Sequence, residues 1–352
     1  MKRAPIKIVP SPSVDLLALA DFVEQFSSKS VVIFGDFVAD EYQFGEISRV
    51  SREAPVLILR HRESQFVPGG GANAANNFAA LGTCVFPISV VGDDPAGDAL
   101  FAYFRSKRVD VSGIQRLKGW TTPTKTRILA GWTHTVAQQV LRVDREPQSA
   151  IPEPLHKKLQ AKLQEKLRTA SALAVSDYGF GVASPMLVRD AIAAQKKSLP
   201  VTLDARHNLH AYTKSGITSA TPNEAELEAL HHVSIGQDLS VLSRCGLATL
   251  ATMKLQSLLV TRGRDGMALF ESGDRVTQIS IYGSDQAVDV TGAGDTVLAA
   301  YTLALACGAS PLEAAHLANI AGGLVVMKRG TATVTREELL AAIRRQAGGA
   351  SS

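Results

Sequence analysis

The sequence feature best suited to chemistry is a glycine-rich segment that ends in a carboxylate. The run Asp289-Val-Thr-Gly-Ala-Gly-Asp295 leads directly into a helical pattern over 296–307, which stops at Gly308. Such a turn leaves backbone N–H groups free at the positive end of the helix dipole, and the missing Cβ atoms of Gly292 and Gly294 let an anion approach closely. The segment therefore predicts a phosphate-binding turn.

Asp295 is expected in the first turn of this helix, beside the anion. A carboxylate there can take the proton from an attacking hydroxyl, while the amides around Gly292, Ala293 and Gly294 stabilise charge on a transferring phosphoryl group. These four residues form the predicted catalytic group. The alternative is that Asp295 only complements the helix dipole and that the glycines only form a turn.

A second glycine-rich segment, Pro68-Gly-Gly-Gly-Ala-Asn73, precedes a helical pattern over 72–81. Glycines allow backbone amides to approach a sugar, and an asparagine side chain can both donate to its hydroxyls and accept from them. Gly69, Gly70 and Asn73 are therefore predicted to bind substrate. A flexible turn before a helix is the alternative.

Both segments resemble the two signatures of the ribokinase-like (PfkB) carbohydrate kinases, and the resemblance extends over about residues 31–345. It implies phosphoryl transfer from ATP to a hydroxyl of a sugar or sugar phosphate, with Asp295 as the base. The alternative from a different class is a non-catalytic family member that serves as a binding or scaffold protein. The intact Asp295 and its glycines disfavour that alternative.

The resemblance also implies further ligand contacts. In the family an acidic residue after the first strand grips sugar hydroxyls, and Asp40 takes that position, with Asp36 as a second candidate. Asn223 and Glu226 resemble the Asn-x-x-Glu motif associated with Mg²⁺ and phosphate, and a solvated helix face is the alternative. Residues 221–224 fit a capping box by local physics, with the threonine as N-cap and the glutamate at N3.

The resemblance implies nucleotide and monovalent-cation contacts in three parts of the chain. Thr261-Arg-Gly263-Arg-Asp-Gly266 follows a buried strand and resembles the family's nucleotide-binding turn, for which a plain hairpin turn is the alternative. Asn319 resembles an adenine-side contact. The segment Lys328-Arg-Gly-Thr-Ala-Thr333 resembles a monovalent-cation loop, so the implied cofactors are ATP, Mg²⁺ and K⁺.

Within the family, several patches resemble heptose 7-phosphate kinases of lipopolysaccharide precursor synthesis. A phosphorylated sugar needs a cation far from the attacked hydroxyl, and a guanidinium can grip a phosphate with two parallel hydrogen bonds. The patches are residues 45–55, Gln139-x-x-Arg142-x-Asp144, Ser176-Asp-Tyr178 and Val-Val-Met-Lys328-Arg-Gly-Thr, and the candidate sugar-phosphate contacts are Lys125, Arg127, Arg142, Asp144 and Arg206.

One departure from that pattern concerns the acceptor. Those kinases usually carry a lysine where this chain has Phe180, and Arg206 is a candidate replacement for the missing cation. Another sugar, sugar phosphate or nucleoside is the alternative acceptor, because a fold and an ATP site do not determine the sugar. Within 352 residues we expect no room for the nucleotidyltransferase domain that some heptose kinases carry.

The elements that must position these residues alternate between strand and helix. This alternation predicts an α/β fold with a mainly parallel central sheet and helices on both faces, and ligands are expected at the carboxyl ends of its strands. Strand patterns occur at 31–34, 172–176, 200–204, 257–261 and 267–270, with helical patterns at 156–168, 185–197 and 222–231.

Two extended segments, 42–66 and 120–142, interrupt this alternation and predict a small β-sheet lid, which the resemblance implies can pair into a homodimer. We divide the chain into an N-terminal extension over 1–30, with a frayed start and a helix, a kinase domain over 31–345 and a disordered tail over 346–352.

The composition excludes several other classes of protein. The net charge of +4 comes from scattered residues rather than a basic arm, so no nucleic-acid partner is expected. The N-terminus lacks a signal peptide, and no apolar run is long enough for a bilayer. Three cysteines without metal-binding spacing predict buried free thiols. We therefore expect a cytoplasmic protein that acts on small molecules.

Overall fold

The computed structural model of the chain describes residues 8–132 and 137–349. In chain order the strands are β1 (Ile8–Pro10), β2 (Ser30–Gly35), β3 (Phe37–Val50), β4 (Leu57–Gly70), β5 (Cys84–Gly92), β6 (Ile114–Leu117), β7 (Thr124–Gly131), β8 (Gln138–Arg145), β9 (Ala172–Asp177), β10 (Val201–Ala205), β11 (Ser219–Ala220), β12 (Ser257–Thr261), β13 (Met267–Glu271) and β14 (Arg275–Ile279).

The helices surround these strands. They are α1 (Leu16–Glu24), α2 (Gly71–Ala80), α3 (Pro95–Ser106), α4 (Glu153–Leu167), α5 (Pro185–Ala193), α6 (Glu224–His231), α7 (Leu239–Met253), α8 (Ala293–Ala306), α9 (Pro311–Val325) and α10 (Arg336–Gly349). None of these described helices is both long and apolar enough to cross a bilayer.

The large sheet of the described chain has ten strands in the order β1-β14-β13-β12-β11-β10-β9-β2-β5-β6. Its central strands are parallel, and β13 runs antiparallel to both neighbours. The side chains of residues 31–34 in β2 are completely buried, as expected for a parallel strand covered on both faces. The predicted mainly parallel central sheet is thereby confirmed.

The helices divide between the two faces of the large sheet. Residues of α1, α2, α3, α8, α9 and α10 form the core on one face, and residues of α4 to α7 form the core on the other. Helix α8 is buried along most of its length, from Asp295 to Ala304. A helix enclosed in this way is apolar on all sides, which explains its run of alanine and leucine.

The small sheet, which we call the lid, has the order β4-β3-β7-β8. Strands β3 and β4 form a long antiparallel hairpin from Phe37↔Gly70 to Val50↔Leu57, and β7 lies parallel to β3. Both extended segments predicted as a lid contribute to it. Residues 133–136 of the second segment lie outside the described residues.

Three details differ from the sequence predictions. Residues 8–10 are not frayed, because they form the edge strand β1 and pair in parallel with β14. Residues 346–349 continue helix α10 instead of starting a disordered tail, and 1–7 and 350–352 lie outside the described residues. Cys84 is exposed rather than buried, because it is the first residue of β5 at the sheet margin, whereas Cys245 is buried.

Candidate active site

The carboxyl edge of the parallel strands borders a cavity of about 680 Å³, which we call the central cavity. Because parallel strands end at the same edge, residues that are distant in the chain converge there. The predicted site residues that line it are Arg206, Asn223, Glu226, Thr261, Gly263, Gly292, Ala293, Gly294 and Asp295. The structure thus brings the predicted catalytic turn together with the predicted magnesium and nucleotide residues.

A narrower cavity of about 170 Å³, the nucleotide cleft, opens from one side of the central cavity. The two share Thr261, Gly263, Val290, Ala293 and Gly294. Its predicted members Gly266 and Asn319 lie among apolar side chains, which suits a planar base. The amide of Asn319 donates to the Ser280 carbonyl at 2.8 Å, which holds the helix against the cleft wall.

A third cavity of about 560 Å³, the cationic cavity, is lined in part by the lid strands β7 and β8. It shares Tyr178, Arg206 and His207 with the central cavity. Its other members include Lys125, Arg142, Asp144 and Phe180. The three cavities therefore form a continuous path in which the Asp295 turn lies between the nucleotide cleft and the cationic cavity.

The cationic cavity holds more positive charge than its acidic residues balance. Arg142 pairs with Asp144 through two hydrogen bonds at 2.7 and 2.5 Å. Burial and the nearby guanidinium of Arg206 lower the pKa of Lys125. Within 8–132 and 137–349, neither Lys125 nor Arg206 has an ion-pair partner. This imbalance fits an anionic ligand.

Arg127, predicted as another sugar-phosphate contact, lies elsewhere. Its guanidinium donates to Asp40 Oδ1 at 2.7 Å, and both side chains are largely buried. Asp40 Oδ2 accepts from the Thr331 hydroxyl at 3.3 Å. A Cβ on Gly69 would lie 2.8 Å from Asp40 Oδ2, so glycine is needed there for the carboxylate to fit. Arg127 is therefore the partner of Asp40 and does not line the cationic cavity.

Asp36 does not reach any of the three cavities, which corrects its assignment as a sugar ligand. Its side chain is completely buried, and its two oxygens accept from the backbone N–H groups of Tyr178, Phe180 and Val182 at 2.9–3.0 Å. Burial raises its pKa to about 6. Asp36 therefore organises the loop after β9, which carries Tyr178 to the cavities.

Asp295 lies in the first turn of α8, whose N-cap is Gly292 in the left-handed region at φ 77°. The side chain is only 3% exposed, and burial raises its pKa to about 7. Hydrogen bonds from Asn73 and Tyr178 oppose that rise, and the Asp40 carboxylate adds to it. A carboxyl poised near neutral pH can act as a general base.

Asn73 was predicted as a sugar ligand, but it contacts Asp295 instead. Its side chain is completely buried, and its Nδ2 donates to Asp295 Oδ2 at 2.7 Å. On the other side, the Tyr178 hydroxyl donates to Asp295 Oδ1 at 3.4 Å. Tyr178 was missed as a site residue because its motif, Ser176-Asp-Tyr178, signalled only a resemblance and no chemistry.

The capping box of α6 lies two residues later than predicted. Asn223 Oδ1 accepts from the Glu226 backbone N–H at 2.8 Å, and Glu226 Oε2 accepts from the Asn223 N–H at 2.9 Å. Thr221 is not the N-cap, because the chain after it is still extended. The Pro222 carbonyl accepts from the Thr261 N–H, and Asn223 forms a parallel β-bridge with Thr261 in β12. Glu224 instead pairs with Arg262 at 2.6 Å.

The surroundings of Glu226 fit a hydrated divalent cation. Burial and the Glu226 carboxylate both raise the pKa of Asp204, a cavity residue that the sequence reasoning did not select. The Thr221 hydroxyl lines the same cavity and is buried without a partner. Among the described residues no three metal-binding side chains cluster. Carboxylate and hydroxyl oxygens are the ligand type that hydrated Mg²⁺ takes.

An apolar cleft, a helix N-terminus with a buried carboxylate, and a cationic cavity under a lid together have the geometry of a small-molecule phosphotransferase. The model of the pfkB family carbohydrate kinases matches residues 28–338. The chain belongs to this family and is a phosphotransferase that acts on a sugar, which implies ATP and a metal ion as its cofactors.

Curated relatives extend this finding. The chain is 41% identical over 313 residues to the bifunctional protein HldE of Geobacter metallireducens, covering 88% of this chain and 62% of the relative. It is 38% identical over 320 residues to the bifunctional protein HldE of Geobacter sulfurreducens, covering 91% and 64%. The chain thus spans less than two thirds of the length of these two relatives.

Solved structures agree on the fold. Phosphofructokinase-2 from Escherichia coli in complex with potassium aligns with a TM-score of 0.71 at 20% identity, covering 91% of this chain and 99% of that one. Arabidopsis thaliana ribokinase complexed with ribose and ATP aligns with a TM-score of 0.68 at 21% identity, covering 90% and 99%. At these identities the similarity establishes the ribokinase-like fold.

The raised pKa of Asp295 predicts a pH-dependent stability. Its carboxyl has a pKa of about 7 in the folded chain against an ordinary 3.8, so the folded state binds the proton more tightly. The free energy of unfolding therefore loses this contribution as pH rises from about 4 to about 7. Asp295→Asn should raise the free energy of unfolding by roughly 1–3 kcal/mol at pH 8, and by much less at pH 4.5.

Denaturant unfolding at both pH values measures this difference. The control is Asp21→Asn, at an exposed carboxylate of α1, which should leave the free energy of unfolding nearly unchanged at either pH. Equal effects of Asp295→Asn at the two pH values, or destabilisation at pH 8, would contradict the prediction.

Proposed function

We propose that the protein transfers the γ-phosphoryl group of MgATP to a phosphorylated sugar, with heptose 7-phosphate as the leading acceptor and heptose 1,7-bisphosphate as the product. The observation that carries the proposal is the position of Asp295. Its carboxyl lines the central cavity at the N-terminus of α8, between the nucleotide cleft and the cationic cavity.

In this proposal ATP lies in the nucleotide cleft with its terminal phosphate at the turn before α8. The sugar hydroxyl approaches from the cationic cavity, Asp295 accepts its proton, and the hydroxyl oxygen forms a bond to γ-phosphorus as the bond to ADP breaks. The free N–H groups of the first helical turn face the charge on the transferring group. Positioning and electrostatics supply most of the rate.

Mg²⁺ is assigned to the Glu226 side of the central cavity. Glu226 and Asp204 would hold it through water, with Thr221 and Asn223 nearby. The bound ion would neutralise phosphate charge. We assign K⁺ to the segment 328–333, and replacing K⁺ by tetramethylammonium in the assay tests this assignment through a lower kcat.

The cationic cavity supports a phosphorylated acceptor over a neutral sugar. Three cationic side chains line it against two carboxylates, Asp144 and Glu146, and a phosphate can accept charge-assisted hydrogen bonds from Arg206 and Lys125. Phe180 lines the same cavity as Arg206. Arg206 is therefore placed to supply the charge that the heptose kinases' lysine would provide, and the sequence patches described above favour heptose 7-phosphate among the sugar phosphates.

The lid is proposed to close over the acceptor and to pair with a second copy of the chain. Closure would exclude water from the phosphoryl group and limit ATP hydrolysis. Leu141 and Val143, which alternate with Arg142 along β8, are 54% and 41% exposed. Apolar side chains on an edge strand favour a partner surface. The cytoplasm supplies ATP and is the proposed location.

The catalytic proposal predicts that Asp295→Asn lowers kcat by roughly 10²–10⁴-fold, because the variant loses its general base. Coupled ADP release measures the rate, and circular dichroism verifies the fold. The control is Asp21→Asn, whose kcat should match that of the parent protein. An Asp295→Asn enzyme with nearly full turnover would refute the proposed base, and no ADP release from the parent protein with any sugar would favour the scaffold alternative.

The acceptor proposal is tested with a panel of heptose 7-phosphate, fructose, fructose phosphates, ribose and adenosine. We expect the highest kcat/KM with heptose 7-phosphate. Arg206→Ala should raise the KM for that acceptor roughly 10- to 100-fold, because a charge-assisted hydrogen bond is lost, while the KM for ATP changes little. Arg189→Ala, on the exposed side of α5, is the matched control. A preference for a neutral sugar would contradict the phosphate assignment.

The lid proposal predicts a dimer that Leu141→Glu converts to a monomer, because a charge replaces an apolar contact. Light scattering after gel filtration measures the mass. Leu17→Glu is the control, since Leu17 is 68% exposed on α1, away from the lid. A parent protein that is already monomeric at the assay concentration would be inconsistent with this proposal.

A further inference from the structure

A row of buried polar side chains leads away from the carboxyl of Asp295. The Thr296 hydroxyl donates to Asn77 Oδ1 at 2.7 Å, and Asn77 Nδ2 donates to Asn73 Oδ1 at 3.2 Å. Asn73 Nδ2 then donates to Asp295 Oδ2 at 2.7 Å. Thr296, Asn77 and Asn73 are all 0% exposed, so no water competes for these groups. The row joins helix α2 to the first turn of α8.

The chemistry of each group fixes the direction of this row. An ionised carboxylate only accepts hydrogen bonds, so the amide of Asn73 must present its NH2 group to Asp295 and its oxygen to Asn77. Asn77 must then present NH2 to Asn73, and its own oxygen is left for the Thr296 hydroxyl. Asn77 Nδ2 also donates to the Asn73 backbone carbonyl at 3.0 Å, which holds the Asn77 amide in the required orientation.

A reversed Asn73 amide would place its oxygen against the Asp295 carboxylate. Two acceptors would then face each other in a buried space, and the NH2 groups of Asn73 and Asn77 would also face each other. The Asn73 backbone carbonyl, which can only accept, therefore fixes the Asn77 amide and biases the Asn73 side chain toward one orientation, and the Thr296 hydroxyl satisfies the Asn77 oxygen in that orientation. None of these three residues needs to contact substrate for the effect.

We propose that Asn77 and Thr296 are positioning residues, which fix the Asn73 amide so that it holds Asp295 Oδ2, while Oδ1, which also accepts from the Tyr178 hydroxyl at 3.4 Å, receives the proton of the acceptor hydroxyl. This inference rests on the proposed role of Asp295 as the base. It assigns function to two residues that lie outside all three cavities.

The charged and titratable groups that face Asp295 from other elements act on the same carboxyl. Asp40 from β3 raises its pKa, while Lys125 from β7 and the hydroxyl of Tyr178 lower it. Asp204 from β10 is close enough for Asp295 to raise its pKa in return. A change at Thr296 reaches the Asp295 carboxyl through Asn77 and the Asn73 amide, and the Thr296 hydroxyl also lies 3.5 Å from the Gly292 carbonyl at the N-cap of α8.

The test is Thr296→Val, which removes the hydroxyl while keeping a similar side-chain shape. We expect kcat to fall roughly 10- to 100-fold, because small misplacement of a catalytic group costs that much. The KM for ATP should stay unchanged. The acidic limb of the kcat/KM profile should move to higher pH, because the Asn73 hydrogen bond favours ionised Asp295. Thr296→Ser keeps the hydroxyl and should restore the parent values.

Thr302→Val is the matched control on the same helix. Thr302 is also 0% exposed, and its hydroxyl donates to the Leu298 carbonyl at 2.6 Å and contacts Thr202 at 2.6 Å. Loss of the Thr302 hydroxyl should lower the free energy of unfolding by an amount similar to loss of the Thr296 hydroxyl. It should leave kcat and the pH profile unchanged. Thr296→Ala provides a second hydroxyl deletion if the valine variant fails to fold, as judged by circular dichroism.

The outcomes separate this inference from the proposed function. If Asp295→Asn is inactive but Thr296→Val and Thr296→Ala behave like Thr302→Val, the positioning role is overturned while the base assignment stands. If Asp295→Asn retains activity, the base assignment fails and the inference fails with it. Loss of kcat and a shifted acidic limb in the hydroxyl deletions, with recovery in Thr296→Ser, supports the inference.

Discussion

The site depends on one electrostatic conflict, a carboxyl group that is buried and must still ionise. Asp295 is 3% exposed, and its burial favours the neutral form. The positive end of α8 and the hydrogen bond from Asn73 favour the charged form. Because these effects oppose each other, the pKa of Asp295 lies near neutrality, where a carboxyl can both hold and release a proton at working pH.

The rest of the fold supplies the neighbours that this balance requires. Helix α2 carries Asn73, the loop after β9 carries Tyr178, and Asp36 fixes that loop through three backbone hydrogen bonds. Asp36 is itself a buried carboxylate whose hydrogen bonds are internal. Asp36 therefore stabilises the loop after β9, whereas Asp295 is the proposed base. The two buried carboxyls differ because Asp36 is held by backbone N–H groups and Asp295 lines the central cavity.

The sign of the charge changes along the path of the cavities, from negative in the central cavity to positive in the cationic cavity. Carboxylates of Asp204, Glu226 and Asp295 gather in the central cavity, whereas three cations outnumber the two carboxylates Asp144 and Glu146 beneath the lid. A metal ion and phosphate groups would relieve the first excess, and an anionic acceptor would relieve the second. Each ligand would thus stabilise a region that is electrostatically strained without it.

The sequence alone determined the architecture and the two glycine-containing turns that border the central cavity, because these depend on periodicity and on glycine at fixed spacing. It could not decide what the polar side chains contact. Asn73 and Asp36 had the chemistry of sugar ligands, but their partners come from residues more than a hundred positions away. Arg127 likewise had the chemistry of a phosphate anchor, and the pairing of β3 with β7 placed it beside Asp40 instead. Such partners are set by tertiary packing, which no local pattern records.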